Sequence, residues 1–313
     1  MYYGKNGAII FGSFLFSNTM NFSIIGFGEV GSLVAALING RFNNSTINIL
    51  DFPEEISGRI LDFQHACACN NNNVIVNDKN QLISTDVVIY SAGFCNAPGE
   101  SRYSVAQNNK ALIEEIFKDL HFNRNTLVIA VTNPVEPVSM WINEALNRQC
   151  SVIGTGTSLD TFRLQFILST YFKCSMDRIE TLVIGEHGEK MIPVYSSTRI
   201  NGQEITELVS REVLDQFTNE LVHSAKMIRK TEKATKYGIA ETCLKLILSY
   251  FGFENSLRTA VSMPIEKEPF KGIFVSQPVE IGFKNIKVVD LKLTHEEQLL
   301  FDEAVQFISG YGN

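Results

Sequence analysis

Short apolar runs and amphipathic stretches alternate through the first half of the chain. "FSIIGFG" (22–28) has the apolar density of a buried strand and ends in glycines. "EVGSLVAALING" (29–40) then places Val30, Val34, Leu37 and Ile38 at helical spacing, with Gly40 as the expected stop. "INIL", "VIV", "DVVIYSAG" and "LVIAVTNP" follow as four further strand candidates. Their β-branched residues suit strands buried on both faces, and their alternation with helices implies a parallel sheet covered on each side.

After about Ser151 the texture changes. A long helical segment, "SLDTFRLQFILSTYF", precedes a strand candidate "IETLVIGEHG" and later mixed strands such as "GIFVSQPVEIGF" and "IKVVDLKL". The chain closes on a helix in which Thr294 and Glu297 form a capping box and Leu300, Ala304, Phe307 and Ile308 form the apolar stripe. The pattern divides the chain into an N-terminal extension (1–19), a parallel-sheet domain (20–150) and a second, mixed α+β catalytic domain (151–313). No repeat or low-complexity linker separates the lobes, so they are expected to pack closely around a site between them.

At 313 residues, 45% hydrophobic and 19% charged, the chain can bury two such lobes. Its net charge of −7, with no cluster of Lys or Arg, argues against a nucleic-acid partner and for a small molecule. None of the six cysteines forms a C-x-x-C pair, and the Cys67/Cys69 spacing lacks a nearby Cys or His set that would complete a zinc site. They read as free thiols of a cytoplasmic protein. No apolar run approaches the roughly 18 residues of a membrane span. "GAIIFGSFLF" (7–16) resembles a short signal-peptide core, but Met20 opens the first strand, so Met1 to Thr19 read as an upstream extension.

"GFGEVG" supplies Gly26, Gly28 and Gly31 as G-x-G-x-x-G. The motif follows a strand, opens a helix, and is followed about 20 residues later by an acid, Asp51, at the end of the next strand candidate, as a dinucleotide fingerprint requires. Glycines let backbone amides approach a pyrophosphate, the helix N-terminus adds positive partial charge, and Asp51 accepts bonds from the adenosine ribose. The carboxylate would repel a 2′-phosphate, so the expected cofactor is NAD. The expected fold is therefore α/β: a Rossmann-type doubly wound parallel sheet with the second mixed α+β domain attached.

Four separated segments carry the remaining chemistry: "NAPGESR" with Arg102, "VTNPVEP" with Asn133, "GTSLDTFR" with Asp160 and Arg163, and "GEHGE" with His187. In order and spacing, over nearly the whole chain from Met20, they resemble the lactate/malate dehydrogenase family and specifically its 2-hydroxy-acid dehydrogenases. The resemblance implies that His187 exchanges a proton with the substrate oxygen, a task suited to imidazole near neutral pH. Asp160 would hold the other ring nitrogen and favour the imidazolium. Arg163, three residues on and on the same helical face, would take the substrate carboxylate with its planar fork. Asn133 would bond the substrate oxygen and position the nicotinamide, and Arg102, on a closing loop hinged at Pro98 and Gly99, would polarise the ketone. Thr235, in "KATKYGIA", aligns with a residue near the substrate side chain.

Two departures from the family pattern bear on substrate and regulation. Malate-binding relatives carry Arg at the Asn96 position and lactate enzymes usually carry Gln. A neutral Asn96 leaves a second carboxylate unpaired in a closed pocket, a penalty on the order of several kcal/mol. It is also one methylene shorter than Gln, which leaves room for longer or branched acids. The expected activity is thus NAD-dependent interconversion of an L-2-hydroxy monocarboxylic acid, L-lactate first, with its 2-oxo acid. The alternative is an L-2-hydroxyisocaproate-type enzyme, which "GTGTSLDT" and Gln165 also resemble, and malate comes third. Bisphosphate-activated relatives carry an Arg at the Gln165 position and a His at the Glu180 position, so no such activation is expected here. The family implies a homo-oligomer, tetramer or dimer.

Overall fold

The computed structural model describes residues 19–94, 102–118, 120, 122–228, 230–232 and 235–311. The expectations for residues 1–18, for Asn96 and for the side chain of Arg102 lie outside what it describes.

The first half builds β1 (Asn21–Ile25), α1 (Glu29–Arg41), β2 (Thr46–Leu50), α2 (Pro53–Ala68), β3 (Asn73–Val76), β4 (Val87–Tyr90), α3 (Arg102–Phe117), β5 (Leu127–Ala130), α4 (Val135–Ala145) and β6 (Ser151–Gly154). The strands lie parallel in the order 3-2-1-4-5-6, so the order reverses between β1 and β4. This is the doubly wound Rossmann arrangement, with its ligand crevice at the carboxyl ends of the strands around that reversal. Successive side chains alternate between the two faces. Ile24, Val87 and Ile89 join the core under α1, with Val34 and Ile38. Ile25, Val88 and Tyr90 join the opposite core, with Ile113, Phe117 and Trp141. Burial on both faces is why these strands read as unbroken apolar runs.

The second half contributes α5 (Ser158–Phe172), β7 (Ile179–Glu180), β8 (Val183–Gly185), β9 (Met191–Pro193), β10 (Arg199–Ile200), β11 (Gln203–Glu204), α6 (Ile205–Leu208), α7 (Arg211–Ile228), α8 (Tyr237–Tyr250), β12 (Leu257–Pro264), β13 (Phe274–Gly282), β14 (Asn285–Val288) and α9 (His295–Ser309). β12 pairs antiparallel with β6, and β13 and β8 extend the same sheet, so one sheet runs through both lobes. The lobes are further joined by α8, whose Ala240, Cys243, Leu244 and Ile247 enter the core under α1. β6 itself, which lies beyond residue 150, pairs in parallel with β5.

Several local expectations are corrected. Gly40 does not end α1, which continues to Arg41 and is capped by Phe42; the preceding turn holds it through Val34, Ala35 and Ile38, all buried. "IETLVIGEHG" is two strands, because β7 joins a small sheet with β10 and β11 while β8 joins the large one. Only the first part of "IKVVDLKL" pairs with β13. The capping box of Thr294 and Glu297 forms, yet Leu300 and Phe307 are exposed and the buried face of α9 is Ala304, Val305 and Ile308. Helical spacing admits either stripe, and the sheet selects the one facing it.

Candidate active site

The start of α5 is pinned by polar side chains before any chemistry is considered. Thr157 N–H donates to Ser276 Oγ of β13 (3.0 Å), Ser158 Oγ donates to the Ala260 carbonyl of β12 (2.6 Å), and Val183 N–H of β8 donates to Thr161 Oγ1 (3.0 Å). These bonds fix the first turn of the helix against three strands, and Asp160 projects from that turn with no exposure at all.

Both oxygens of Asp160 are used. Oδ2 accepts from His187 Nδ1 at 2.7 Å and Oδ1 from Arg163 Nη1 at 2.8 Å. The i,i+3 spacing that places Asp160 and Arg163 on one face is visible in the sequence; the arrival of His187 from the β8–β9 connection is a product of the fold. Burial by itself would raise the Asp160 carboxyl, but the charges and hydrogen bonds of His187 and Arg163 hold it below its ordinary range. Burial would lower the imidazole. Against it, the Asp160 charge and bond, with Glu136 behind them, lift His187 to about 9. His187 is therefore an imidazolium at neutral pH with Nδ1 committed to Asp160, which leaves Nε2 as its reactive nitrogen. About a quarter of the side chain (24%) remains exposed, and Arg163 keeps 14%.

Glu136 was not singled out by sequence reasoning, although it sits in the "VTNPVEP" segment. It lies in the first turn of α4, 2% exposed, and its Oε1 accepts the backbone N–H of His187 at 2.9 Å. Burial pushes its carboxyl up to about 7 against the lowering effect of His187. A charged residue written into an apolar helix start was the available signal.

The cofactor end lies at the carboxyl edge of the parallel strands. Gly26, at φ +90°, turns the chain out of β1, and a Cβ there would lie 2.3 Å from Ala92 N. A Cβ on Gly31 would lie 2.0 Å from the Gly26 carbonyl, so this glycine permits close packing of α1 on the turn. Gly28 differs: among the described residues, its chain neighbours aside, no atom lies within 4 Å of where its Cβ would be. Packing does not require a glycine at that position, whereas a diphosphate drawn against the turn does. Asp51, at the end of β2, accepts N–H bonds from Phe27 on Oδ2 and from Phe52 on Oδ1 (2.7 Å). It thus braces the glycine turn as well as standing where a ribose acceptor is needed. The residues present fit NAD.

Asn133 is exposed at the end of β5, on the same strand edge as Gly26 and Asp51. Thr235 is half-buried just before α8. Its neighbour Lys236 reaches Glu29 beside the glycine turn (3.5 Å), and Gly238 packs on Leu159, next to Asp160. That segment therefore spans from the cofactor end to the His187 cluster. Neither Asn133 nor Thr235 is hydrogen-bonded to the cluster itself. Arg102 is the first residue of α3 rather than part of a loop.

Comparison with known proteins gives matching results. The profile of the lactate/malate dehydrogenase NAD binding domain matches residues 20–154, and that of the lactate/malate dehydrogenase alpha/beta C-terminal domain matches residues 157–308. The chain is 28% identical over 296 residues to L-lactate dehydrogenase 1 of Clostridium acetobutylicum, covering 88% of this chain and 92% of that one. It is also 28% identical over 268 residues to a malate dehydrogenase of Halobacterium salinarum, covering 84% and 87%. Among solved structures, a lactate dehydrogenase from a Medee basin deep-sea metagenome library superposes with a TM-score of 0.85 at 21% identity, covering 94% of this chain and 98% of that one.

Proposed function

Because the chain belongs to the lactate/malate dehydrogenase family, we propose that it interconverts an L-2-hydroxy monocarboxylic acid and its 2-oxo acid, L-lactate and pyruvate before others, with NAD as hydride carrier. The observation that carries this reading is Asp160, buried and bonded at once to His187 and Arg163.

In reduction, Arg163 receives the substrate carboxylate. Its Nη1 is tethered to Asp160, and among the described residues its other guanidinium N–H groups have no partner. This sets the ketone oxygen toward His187 Nε2. When bound, the cofactor supplies the hydride for the carbonyl carbon. His187 delivers its proton to the oxygen as charge develops there, and Asp160, remaining anionic, keeps the ring in register. In oxidation His187 takes the hydroxyl proton and the resulting imidazolium is stabilised by the same carboxylate. Arg102, at the N-terminus of α3, adds positive charge toward the carbonyl, Asn133 bonds the substrate oxygen, and Thr235 lines the side-chain pocket.

A neutral Asn96 supports a monocarboxylic substrate over malate, with a longer branched acid of the L-2-hydroxyisocaproate type as the second reading. The experiment is NADH oxidation with pyruvate, 2-oxoisocaproate, phenylpyruvate and oxaloacetate, compared by kcat/KM. Pyruvate in the lead supports the proposal, 2-oxoisocaproate in the lead selects the second reading, and oxaloacetate in the lead defeats both. The five described cysteines are unpaired, which supports a reducing cytoplasm. Exposed Leu61 on α2 and Phe166 and Tyr171 on α5 support a homo-oligomer that covers them, checked by light scattering on the purified chain.

A further inference from the structure

The buried carboxyl of Glu136 is not explained by its hydrogen bond. One acceptor for the His187 N–H is needed, and an amide oxygen would serve as well without the penalty of a buried ionisable group. What a carboxyl adds is the capacity to carry charge. Its surroundings favour that use. Glu136 occupies the first turn of α4, where the helix N-terminus stabilises an anion. Its Oε1 receives the His187 N–H at 2.9 Å and lies 3.4 Å from Ser276 Oγ, which in turn accepts Thr157 N–H at the head of α5. One carboxyl thus ties the first lobe's α4 to the His187 loop and, through Ser276, to the helix that carries Asp160 and Arg163.

We propose that Glu136 is a positioning residue for His187, holding the backbone beneath the imidazole and supplying the second negative charge that accompanies its protonated form. The proposal rests on the reading of His187 as the proton-transfer group. The charged groups involved are few. Arg163 and the imidazolium bring two positive charges and Asp160 one negative; an ionised Glu136 balances them. When His187 has given up its proton, Arg163 and Asp160 balance each other and the Glu136 carboxylate is left uncompensated, so it favours the protonated ring. Glu186, in the same loop as His187, opposes ionisation of Glu136, whereas the charge and backbone N–H of His187 favour it. From β13 the neutral Ser276 hydroxyl donates to it.

The test is the titration of the His187 ring by NMR, with ¹³C-labelled histidine, in the full-length wild type, Glu136→Gln and Glu136→Ala, the resonance being assigned by its loss in His187→Gln. Glu136→Gln keeps the acceptor and removes the charge. His187 is expected to titrate about one unit lower in it than in wild type. The high-pH limb of kcat/KM for 2-oxo acid reduction should move with it, while KM for NADH stays within about twofold. Glu136→Ala loses both acceptor and charge and should lower the plateau rate further. A His187 titration in Glu136→Gln that coincides with wild type overturns the proposal, even if Glu136→Ala is crippled, since that pattern belongs to a purely structural hydrogen bond. Failure of the dehydrogenase reading looks different: wild type would turn over no 2-oxo acid, whatever the NMR titration shows.

Discussion

Asp160→Asn removes the anion that His187 leans on while preserving its size and one acceptor. His187 titrates near 9 against an ordinary 6.5, and burial already acts in the lowering direction. The gap of about 2.5 pH units corresponds to about 3 kcal/mol in favour of the imidazolium. Without the carboxylate the ring is expected to titrate near its ordinary value, with burial lowering it and Glu136 the raising group that remains. At pH 8 roughly nine-tenths of wild-type rings are protonated, against roughly 3% in the variant, so kcat/KM for 2-oxo acid reduction falls about 30-fold from protonation alone. At pH 6 both forms are largely protonated and this part of the defect shrinks to less than about twofold, leaving the pH-independent loss from a less constrained ring. The assay is initial-rate NADH oxidation from pH 6 to 9.5 for both proteins, with circular dichroism to establish that the variant is folded. A defect of equal size at pH 6 and pH 8 would refute the claim that Asp160 works through the protonation of His187.

Other expectations follow from the same geometry. Gly28→Ala should leave the melting temperature nearly unchanged, because no described residue beyond its chain neighbours lies near the added methyl, yet weaken NADH binding by about tenfold or more; Gly31→Ala, whose methyl would collide with the Gly26 carbonyl, should lower the melting temperature markedly. Both are read by thermal melts with and without NADH. Arg163→Lys loses the planar fork and the geometry of the Asp160 tether, and kcat/KM is expected to drop about 10²-fold, mainly through KM for the 2-oxo acid. Fructose 1,6-bisphosphate should leave rate and KM unchanged, since Gln165 is engaged with the Ile179 carbonyl and the adjacent Glu180 is negative; activation in a steady-state titration would contradict this.

The parts of the fold and site that the sequence makes visible are those set by local rules. Strands buried on both faces announce themselves as apolar runs, and G-x-G-x-x-G followed by Asp51 marks a turn whose spacing is fixed by the backbone. Asp160 and Arg163 share a face because of helical period alone. What escapes local reading depends on tertiary partners. The split of "IETLVIGEHG" into β7 and β8 is decided by which sheet each half joins. Which stripe of α9 is buried depends on the strands beneath it, and β6 pairs in parallel with β5 although the change of texture comes at its first residue. Glu136 became visible only when the His187 backbone was placed over it, 51 residues away in sequence. The sulfur chemistry shows the same contrast: Cys243 is hidden in the core, where burial pushes its thiol up to about 12, a fate that composition alone does not assign to any one cysteine.

One comparison decides the role given to His187: turnover of pyruvate with NADH at pH 7 by wild type beside His187→Gln, with NADH binding measured in both. Wild type should form L-lactate, and the variant should bind NADH normally while losing about 10²- to 10⁴-fold in kcat. Equal turnover by the two proteins, or a wild type that reduces no 2-oxo acid at all, would contradict the mechanism.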